Sequence, residues 1–442
     1  MKPIGLALVC GLILGLGACT TLSRADRAPR TDPVARLAPT GPSPWREDFD
    51  DPALRNLLDR ADLGALDVDV ALARLERAAA DVEAADAARR LNVVVGVQSA
   101  IGGRNFRSST SGATPTLEVT REVDVWRRLA HARGAARAGQ QASAADLAEV
   151  RLSIAAQTAQ TYLSLRTART SETAAIRRQA IAQRQQRLIR ARAAEGLARP
   201  DEVEAGRRTV DRLGQLAEQH RDEGRLLAAR LADLSGVAVP ITSLSGDLAL
   251  GADPGPAAAS VVDARPDVRA AFARLAAADE QRASSIAASQ PQFQIVAAIG
   301  SPDSAISTLL DVRTLAWALA ATFSQDVLDG GAARARVHAA TADADLADLA
   351  YRKTVLVAWS EVRDGVSAVA QARRDFAMAQ ASLALARTSL RIGQARHAAG
   401  SADGRAIAAL DDAVAQADEA VDLARLRIAA ARIQLALAKG GG

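Results

Sequence analysis

Two long stretches without proline constrain the fold of this chain more than any other feature of its 442 residues. No proline lies between Pro115 and Pro200, and none follows Pro302. Because proline costs about 3 kcal/mol inside a helix, these intervals are where long helices can form. At 1.5 Å per residue, a helix over most of either interval would be about 100 Å long. The predicted helices, two long and two shorter, cover residues 127–195, 200–234, 330–398 and 405–439.

These helices have the pattern of helices that pack on other helices. Within 152–188, apolar residues recur at spacings of three and four, and Arg and Gln fill the opposite face. The chain is 49% hydrophobic, which is too apolar for a disordered protein, while 3% aromatic residues are few for several compact cores. Basic residues are scattered and the net charge is only +4, which argues against a nucleic-acid partner.

Two segments change to an alternation of period two, and each predicts a β-hairpin. The hairpins span 91–126 and 290–328, with loops predicted at 102–114 and 300–311. Strands of about ten residues, apolar on one face and polar on the other, are typical of a transmembrane barrel. The alternative is a pair of soluble hairpins, each with one face on a core.

The order helix, hairpin, long helix, shorter helix occurs twice, and the copies share residues at an offset that drifts from 200 to 204. Asp67-Val68 matches Asp267-Val268, and Gly196 matches Gly400. We predict repeats over 48–239 and 258–442, joined by a linker at 240–257. Four strands cannot close a barrel, and an open sheet edge cannot lie in lipid. A membrane version therefore needs several chains, and three copies would supply twelve strands.

The N-terminal region has the pattern of a bacterial lipoprotein signal. An apolar run too short to span a bilayer ends in Leu16-Gly17-Ala18-Cys19. We predict a signal peptide over 1–18, acylation of Cys19 and a tether over 19–47. Thr20 rather than Asp follows the cysteine, which favours sorting to the outer membrane. An ordinary signal peptide or a buried apolar N-terminus is the alternative.

Several motifs make the chain similar to the outer-membrane efflux factors, the TolC-like family, and to its lipoprotein branch. The segments that carry the resemblance are 51–54, 121–126, 264–271, 326–331 and 351–356, and Arg-Pro-Asp-Val-Arg-Ala-Ala at 265–271 is the most specific. Three positions depart from the family pattern. Arg121 stands where Trp is usual, Arg127 replaces Gly after Trp126, and Leu91 replaces Pro.

The resemblance implies a mainly α-helical protein with a transmembrane β part, assembled as a homotrimer. The trimer would form a twelve-stranded β-barrel in the outer membrane of a Gram-negative bacterium, continued by a periplasmic α-helical barrel. It would serve as the exit duct for drugs or other small molecules, docked to a periplasmic adaptor and an inner-membrane pump. The alternative is a lipid-anchored periplasmic coiled-coil scaffold or adaptor, which explains the helices and Cys19 but not two amphipathic hairpins.

No catalytic, cofactor or metal site is expected. The four histidines are isolated in helical stretches without metal-ligand spacing, and no nucleophile–base or phosphate-loop motif is present. The candidate sites are instead the two turns that join each long helix to its shorter partner. By resemblance, the turn residues expected to meet the adaptor are Gly196, Leu197, Ala198, Gly400, Ser401 and Ala402.

Acids near these turns are the candidate periplasmic gate. They are Glu202, Asp403, Asp411 and Asp412. Carboxylates repeated around a three-fold axis can form rings that select cations and close an aperture through ion pairs. The alternative is that they are solvated acids at helix starts, where the helix dipole favours negative charge.

Overall fold

The computed structural model of the chain describes residues 51–104, 108–236, 260–300, 316–401 and 403–441. The predicted signal peptide, tether and linker lie outside these ranges. The elements described are α1 (Pro52–Gly64), α2 (Leu66–Ala87), β1 (Asn92–Arg104), β2 (Ser108–Val123), α3 (Arg128–Ala194), α4 (Pro200–Ser235), α5 (Ser260–Asp263), α6 (Pro266–Ala287), β3 (Gln292–Gly300), β4 (Ala316–Ser324), α7 (Ala332–Ala398) and α8 (Gly404–Ala438).

The four predicted helices are confirmed to within two residues at each end. Carboxylates satisfy the first backbone N–H groups of the two long helices. Asp124 accepts hydrogen bonds from the backbone of Leu129 and Ala130, and Asp329 accepts them from Gly331 and Ala333. Each acid lies between the end of a strand and the start of a long helix, so it stabilises the point where the helix begins. Among the helices of the described ranges, none is both long enough and apolar enough to cross a bilayer.

The two copies of the repeat recur element by element. Helices α2 and α6 each have 22 residues, and α3 and α7 each have 67. The pairs stand at the offsets of 200 and 204 that the sequence matches indicated. The duplicated helix–hairpin–long helix–helix order is thus confirmed as the plan of the fold.

A hydrophobic core forms where α1, α3, α4 and α8 meet. Tyr162, Leu58, Leu231 and Ile433 are almost completely buried there. Burying a side chain such as leucine contributes about 1.5–3 kcal/mol, so this cluster stabilises the helix bundle. The Tyr162 hydroxyl also donates to Asp51 Oδ2 at 2.5 Å, and Asp51 caps α1. The core thereby fixes the start of α1 against α3.

The strands form one antiparallel sheet in the order β1–β2–β3–β4. The prediction of a long first loop at 102–114 was wrong, because β1 runs to Arg104 and pairs there with Ser108. This Ser-, Thr- and Gly-rich segment lacks apolar alternation, but its backbone still forms the hydrogen-bonded ladder, which any side chain allows. Much of the second predicted loop lies outside the described residues.

Candidate functional site

One face of the sheet is apolar across all four strands. Residues directly paired on neighbouring strands share a face, so the register defines rows across the sheet. Three rows have apolar members throughout: Val95, Leu117, Ile299 and Trp317; Val93, Val119, Ala297 and Leu319; and Val123, Phe293 and Phe323. The Phe293 and Phe323 rings lie 5.2 Å apart at the end of the sheet nearest the helices.

This apolar face is open to the surroundings of the chain. Trp317 is 79% exposed and Leu319 is 67% exposed. Apolar patches that span a whole sheet mark a surface that binds lipid or protein. Soluble hairpins would need a core against this face, and the described residues place none there.

The opposite face of the sheet is mixed and carries the acidic residues Glu118 and Glu122. Glu118 pairs in register with Ala298, and Glu122 pairs with Gln294, which in turn pairs with Thr322. Glu122 accepts two hydrogen bonds from Arg128, at 3.0 and 2.5 Å. A sheet with one apolar and one charged face suits a barrel with lipid outside and water inside.

The two tips have the same turn geometry. Gly196 has φ 75° and Gly400 has φ 73°, a left-handed conformation that glycine adopts without strain. In each tip the backbone N–H of the residue after the glycine forms a hydrogen bond with the last turn of the long helix. The Leu197 N–H donates to Arg192 O and the Ser401 N–H donates to Arg396 O, both at 2.8 Å. The predicted turns are therefore present, while Ala402 lies outside the described residues.

The tips are joined to each other by a network of ion pairs. Asp403 caps α8 and pairs with Arg192 at 2.9 Å and with Arg405 at 2.8 Å. Arg405 also reaches Glu202 on α4, at 3.2 Å. A side-chain hydrogen bond from Arg405, followed by one from its backbone N–H, lowers the pKa of Asp403. The structure thus brings Glu202 and Asp403 together through one arginine.

The other two candidate acids lie further along α8 and face α3. Asp411 pairs with Arg184 at 3.1 Å, and Asp412 pairs with Arg178 at 2.9 Å. Six residues after Asp412, Asp418 binds both Arg177 of α3 and Arg387 of α7. Together with Asp403–Arg192, these pairs form a ladder that holds α8 against α3.

Sequence reasoning missed the arginines of α3 as partners in this ladder. Partners such as Arg178 and Asp412 are more than 200 residues apart, and helical periodicity alone does not give the rotation of one helix against another. Arg405, two residues after Asp403 in the sequence, is also a partner of these acids. Arg199 instead pairs with Asp201, at 2.8 Å.

Arg265, the first residue of the most specific motif, joins three helices. Its guanidinium donates to Asp267 beside it, to Glu361 of α7 at 2.7 Å, and to the carbonyl of Ala438 at the end of α8, also at 2.7 Å. The side chain is buried, and each of its three nitrogen atoms donates to a group of the protein. Arg265 therefore fixes the start of α6 to the end of the chain, which gives the motif a structural role.

No arrangement typical of a metal centre is present in the parts of the chain that the structure describes. None of their His, Cys, Asp and Glu side chains form a group of three or more able to hold an ion. Among the histidines, His131 contacts Glu280 at 2.7 Å and His220 contacts Glu223 at 3.3 Å. Both contacts are ordinary pairs on helix surfaces.

Comparison with known proteins agrees with this geometry. The family model for the outer membrane efflux protein matches residues 57–236 and 259–441, most of the chain. The chain belongs to the outer membrane efflux protein family. Members of this family are transport proteins of the Gram-negative outer membrane, so the location expected from the resemblance is confirmed.

Individual relatives match to different extents. The chain is 27% identical over 379 residues to the pyoverdine export outer membrane protein OpmQ of Pseudomonas putida, covering 81% of this chain and 80% of that protein. It is 31% identical over 115 residues to outer membrane protein OprJ of Pseudomonas aeruginosa, which spans 26% of this chain and only 24% of OprJ.

Solved structures establish the fold of this outer membrane efflux protein. A crystal structure of CusC, described as forming a transmembrane channel, matches with a TM-score of 0.82 over 92% of this chain and 96% of that one. At 18% identity this likeness concerns the fold alone. The predicted fold class, a TolC-like channel with a helical part and a β part, is thereby confirmed.

Proposed function

We propose that this protein is the outer-membrane exit duct of a tripartite efflux system. It would pass drugs or other small molecules from a periplasmic adaptor and an inner-membrane pump to the exterior. The observation that carries this proposal is the sheet, whose exposed apolar face and charged opposite face suit lipid on one side and water on the other. The two helices of 67 residues that leave its lower end would cross much of the periplasm.

The duct would be a homotrimer. Strands β1 and β4 are the edges of the sheet, and each leaves one side of its backbone ladder open to a neighbour. Three chains would join these edges into twelve strands and remove every edge from the lipid. Exposed apolar side chains on the helices support the same assembly. They are Leu66 and Val70 on α2 and Leu349, Leu356 and Trp359 on α7.

The tips would form the regulated periplasmic end of the duct. The turn residues, among them Gly196, Leu197 and Gly400, lie where an adaptor could contact both repeats, and Leu197 is largely exposed. The ladder between α3 and α8 would hold the aperture closed, with Glu202, Asp403, Asp411 and Asp412 repeated three times around the axis. Acylation at Cys19 would anchor the start of each chain to the membrane.

The relatives bear on what is exported. One of them is named for the export of pyoverdine, and others for solvent or toluene efflux. We propose a small-molecule cargo for this chain on that basis. The alternative of a periplasmic coiled-coil scaffold gains no support, because a scaffold has no use for an exposed apolar sheet.

Fractionation followed by gel electrophoresis tests the proposed function. The full chain, expressed in a Gram-negative host, should sediment with outer membranes and migrate as a trimer when unheated and as a monomer after boiling. A matched sample of the Leu319→Asp variant should lose the trimer band. Recovery of the wild-type chain as a soluble monomer from the periplasm would contradict the proposal.

A further inference from the structure

A single arginine interrupts the apolar face of the sheet. Arg121 lies on β2 between Val119 and Val123, which share its face, and it pairs in register with Ile295 of β3. Its side chain is exposed. A guanidinium is always charged, and placing it among apolar residues on a lipid-facing surface is costly without a counter-ion.

The acids nearest to Arg121 in the sequence lie on the opposite face or are bound elsewhere, and Glu118 is one of those on the opposite face. Glu122 points to the opposite face and binds Arg128. Asp124 accepts from the first N–H groups of α3. Within the described ranges, the Arg121 guanidinium has no ion pair or side-chain hydrogen bond, which leaves all five of its donors available.

Trimer assembly would not supply a partner either. Strand β2 is an inner strand, flanked by β1 and β3 of its own chain. In the proposed trimer the strand beyond β1 would be β4 of another protomer, and its residues on this face carry no charge: Trp317, Leu319, Ala321 and Phe323. The counter-ion of Arg121 must therefore come from outside the protein.

The position of Arg121 along its strand, close to the helical end of the sheet, indicates what that counter-ion is. It lies one row, about 7 Å along the strand, from the row of Val123, Phe293 and Phe323 at the helical end of the sheet. A long arginine side chain at this level can extend toward the headgroups while its methylene stem stays in the apolar layer. The helical end faces the periplasm in the proposed duct, so these are headgroups of the periplasmic leaflet.

We infer that Arg121 binds the phosphate of an anionic phospholipid in the periplasmic leaflet of the outer membrane. This inference rests on the proposed function, because it requires the sheet to lie in the membrane. Guanidinium groups bind phosphate oxygens through two parallel hydrogen bonds. Exposed Arg89 and Arg90 just before β1, and Arg127 just after β2, add positive charge at the same end and favour an anionic over a zwitterionic headgroup.

Lipid titration of the purified full-length trimer, followed by native mass spectrometry, tests the inference. The probes are phosphatidylglycerol, which is anionic, and phosphatidylethanolamine, which is zwitterionic. The wild-type chain should bind phosphatidylglycerol more tightly. Arg121→Leu should weaken that binding about tenfold, the effect expected from losing a hydrogen-bonded charged partner. Arg121→Lys keeps the charge without the paired donors. Its affinity for phosphatidylglycerol should lie between those of the wild type and Arg121→Leu.

Arg208→Leu is the matched control, since Arg208 is a largely exposed arginine on α4, far along the chain from the sheet. It should bind both lipids as the wild type does. Undiminished phosphatidylglycerol binding by Arg121→Leu would overturn the inference, as would equal affinity of the wild type for the two lipids. A wild-type chain that never inserts into membranes would instead defeat the proposed function, and the unheated gel separates that outcome from the others.

Discussion

Arg127 occupies a backbone conformation that glycine adopts more readily than any residue with a Cβ atom. Its φ is 62°, and among the described residues it is the one non-glycine with a positive φ. The equivalent residue of the second repeat, 204 positions later, is Gly331 with φ 90°. The left-handed conformation costs an L-residue about 1–2 kcal/mol. The departure from the family pattern noted in the sequence therefore introduces strain where a strand turns into a long helix.

Replacing Arg127 by glycine should stabilise the protein. We expect Arg127→Gly to raise the free energy of unfolding by about 0.5–1 kcal/mol, since relief of strain exceeds the added flexibility of the unfolded chain. The heat-dissociation temperature of the purified trimer measures the effect. Arg128→Gly is the control and should lower it, because that residue lies in α3 and pairs with Glu122. A lower temperature for Arg127→Gly would show that the strain is absent.

A second prediction at the scale of one residue concerns the acylation of Cys19. A thiol is required for a lipid attached through a thioether, so Cys19→Ser should abolish acylation. Some trimer should still assemble, because the sheet supplies its own membrane insertion. Growth with a radioactive fatty acid followed by gel analysis measures both. Label retained on the serine variant would mean that the lipid is attached elsewhere, and Cys10→Ser serves as the control that should keep its label.

At the scale of elements, the sequence predicted what depends on local pattern. Proline and glycine end the long helices, so their bounds followed from the positions of Pro200, Gly196 and Gly400. Alternation of period two predicted that each strand has one apolar face. The strand register agrees, because it brings the apolar residues of neighbouring strands together on one face of the sheet. The extension of the first hairpin to Arg104 and Ser108 was missed, because Ser and Gly there carry no such pattern.

Contacts between distant elements could not be predicted from the sequence in this way. The motif at 265–271 was recognised as specific, but the partners of Arg265 come from α7 and from the end of α8. The arginines that bind the candidate gate acids were missed for the same reason. Both depend on how helices are rotated against one another, which only packing determines.

The two faces of β3 give a matched pair of substitutions. Phe293→Asp places a charge on the apolar face, whereas Gln294→Asp places it on the face of Glu122 and Thr322. A charge facing lipid costs up to about a few kcal/mol near the midplane. We expect Phe293→Asp and Leu319→Asp to prevent insertion and Gln294→Asp to be tolerated. Ile295→Asp should be less harmful than these two, because the new carboxylate would lie in register with Arg121. The unheated trimer band measures insertion, and equal results on both faces would remove the transmembrane assignment.

At the scale of the whole molecule, the ion pairs of the ladder between α3 and α8 gain importance from the three-fold symmetry of the proposed trimer. Each pair is partly exposed and contributes only about 0–1 kcal/mol, but in the proposed trimer every pair is present three times. Hydrogen bonds from Arg405 lower the pKa of Asp403, so its carboxylate stays charged and paired at pH values below the usual aspartate pKa of about 3.9. Their stabilisation is lost only as the pH falls through the lower folded value.

Neutralising the four acids together tests whether this ladder closes the duct. The combined variant Glu202→Gln, Asp403→Asn, Asp411→Asn, Asp412→Asn should raise single-channel conductance in planar bilayers, because three of the ion pairs that hold α8 against α3 are lost. It should also weaken cation preference, since rings of negative charge are removed. Single substitutions should do little.

Neutralising the partner arginines separates closure from selectivity. Arg178→Gln, Arg184→Gln and Arg192→Gln together break the three pairs that these acids make with α3, so conductance should rise as it does in the acid variant. The four acids remain, and Asp411 and Asp412 lose their arginine partners, so cation preference should increase rather than fall. If both variants conducted and selected like the wild type, the acids would be ordinary residues at helix starts. The constriction would then lie elsewhere along the helices.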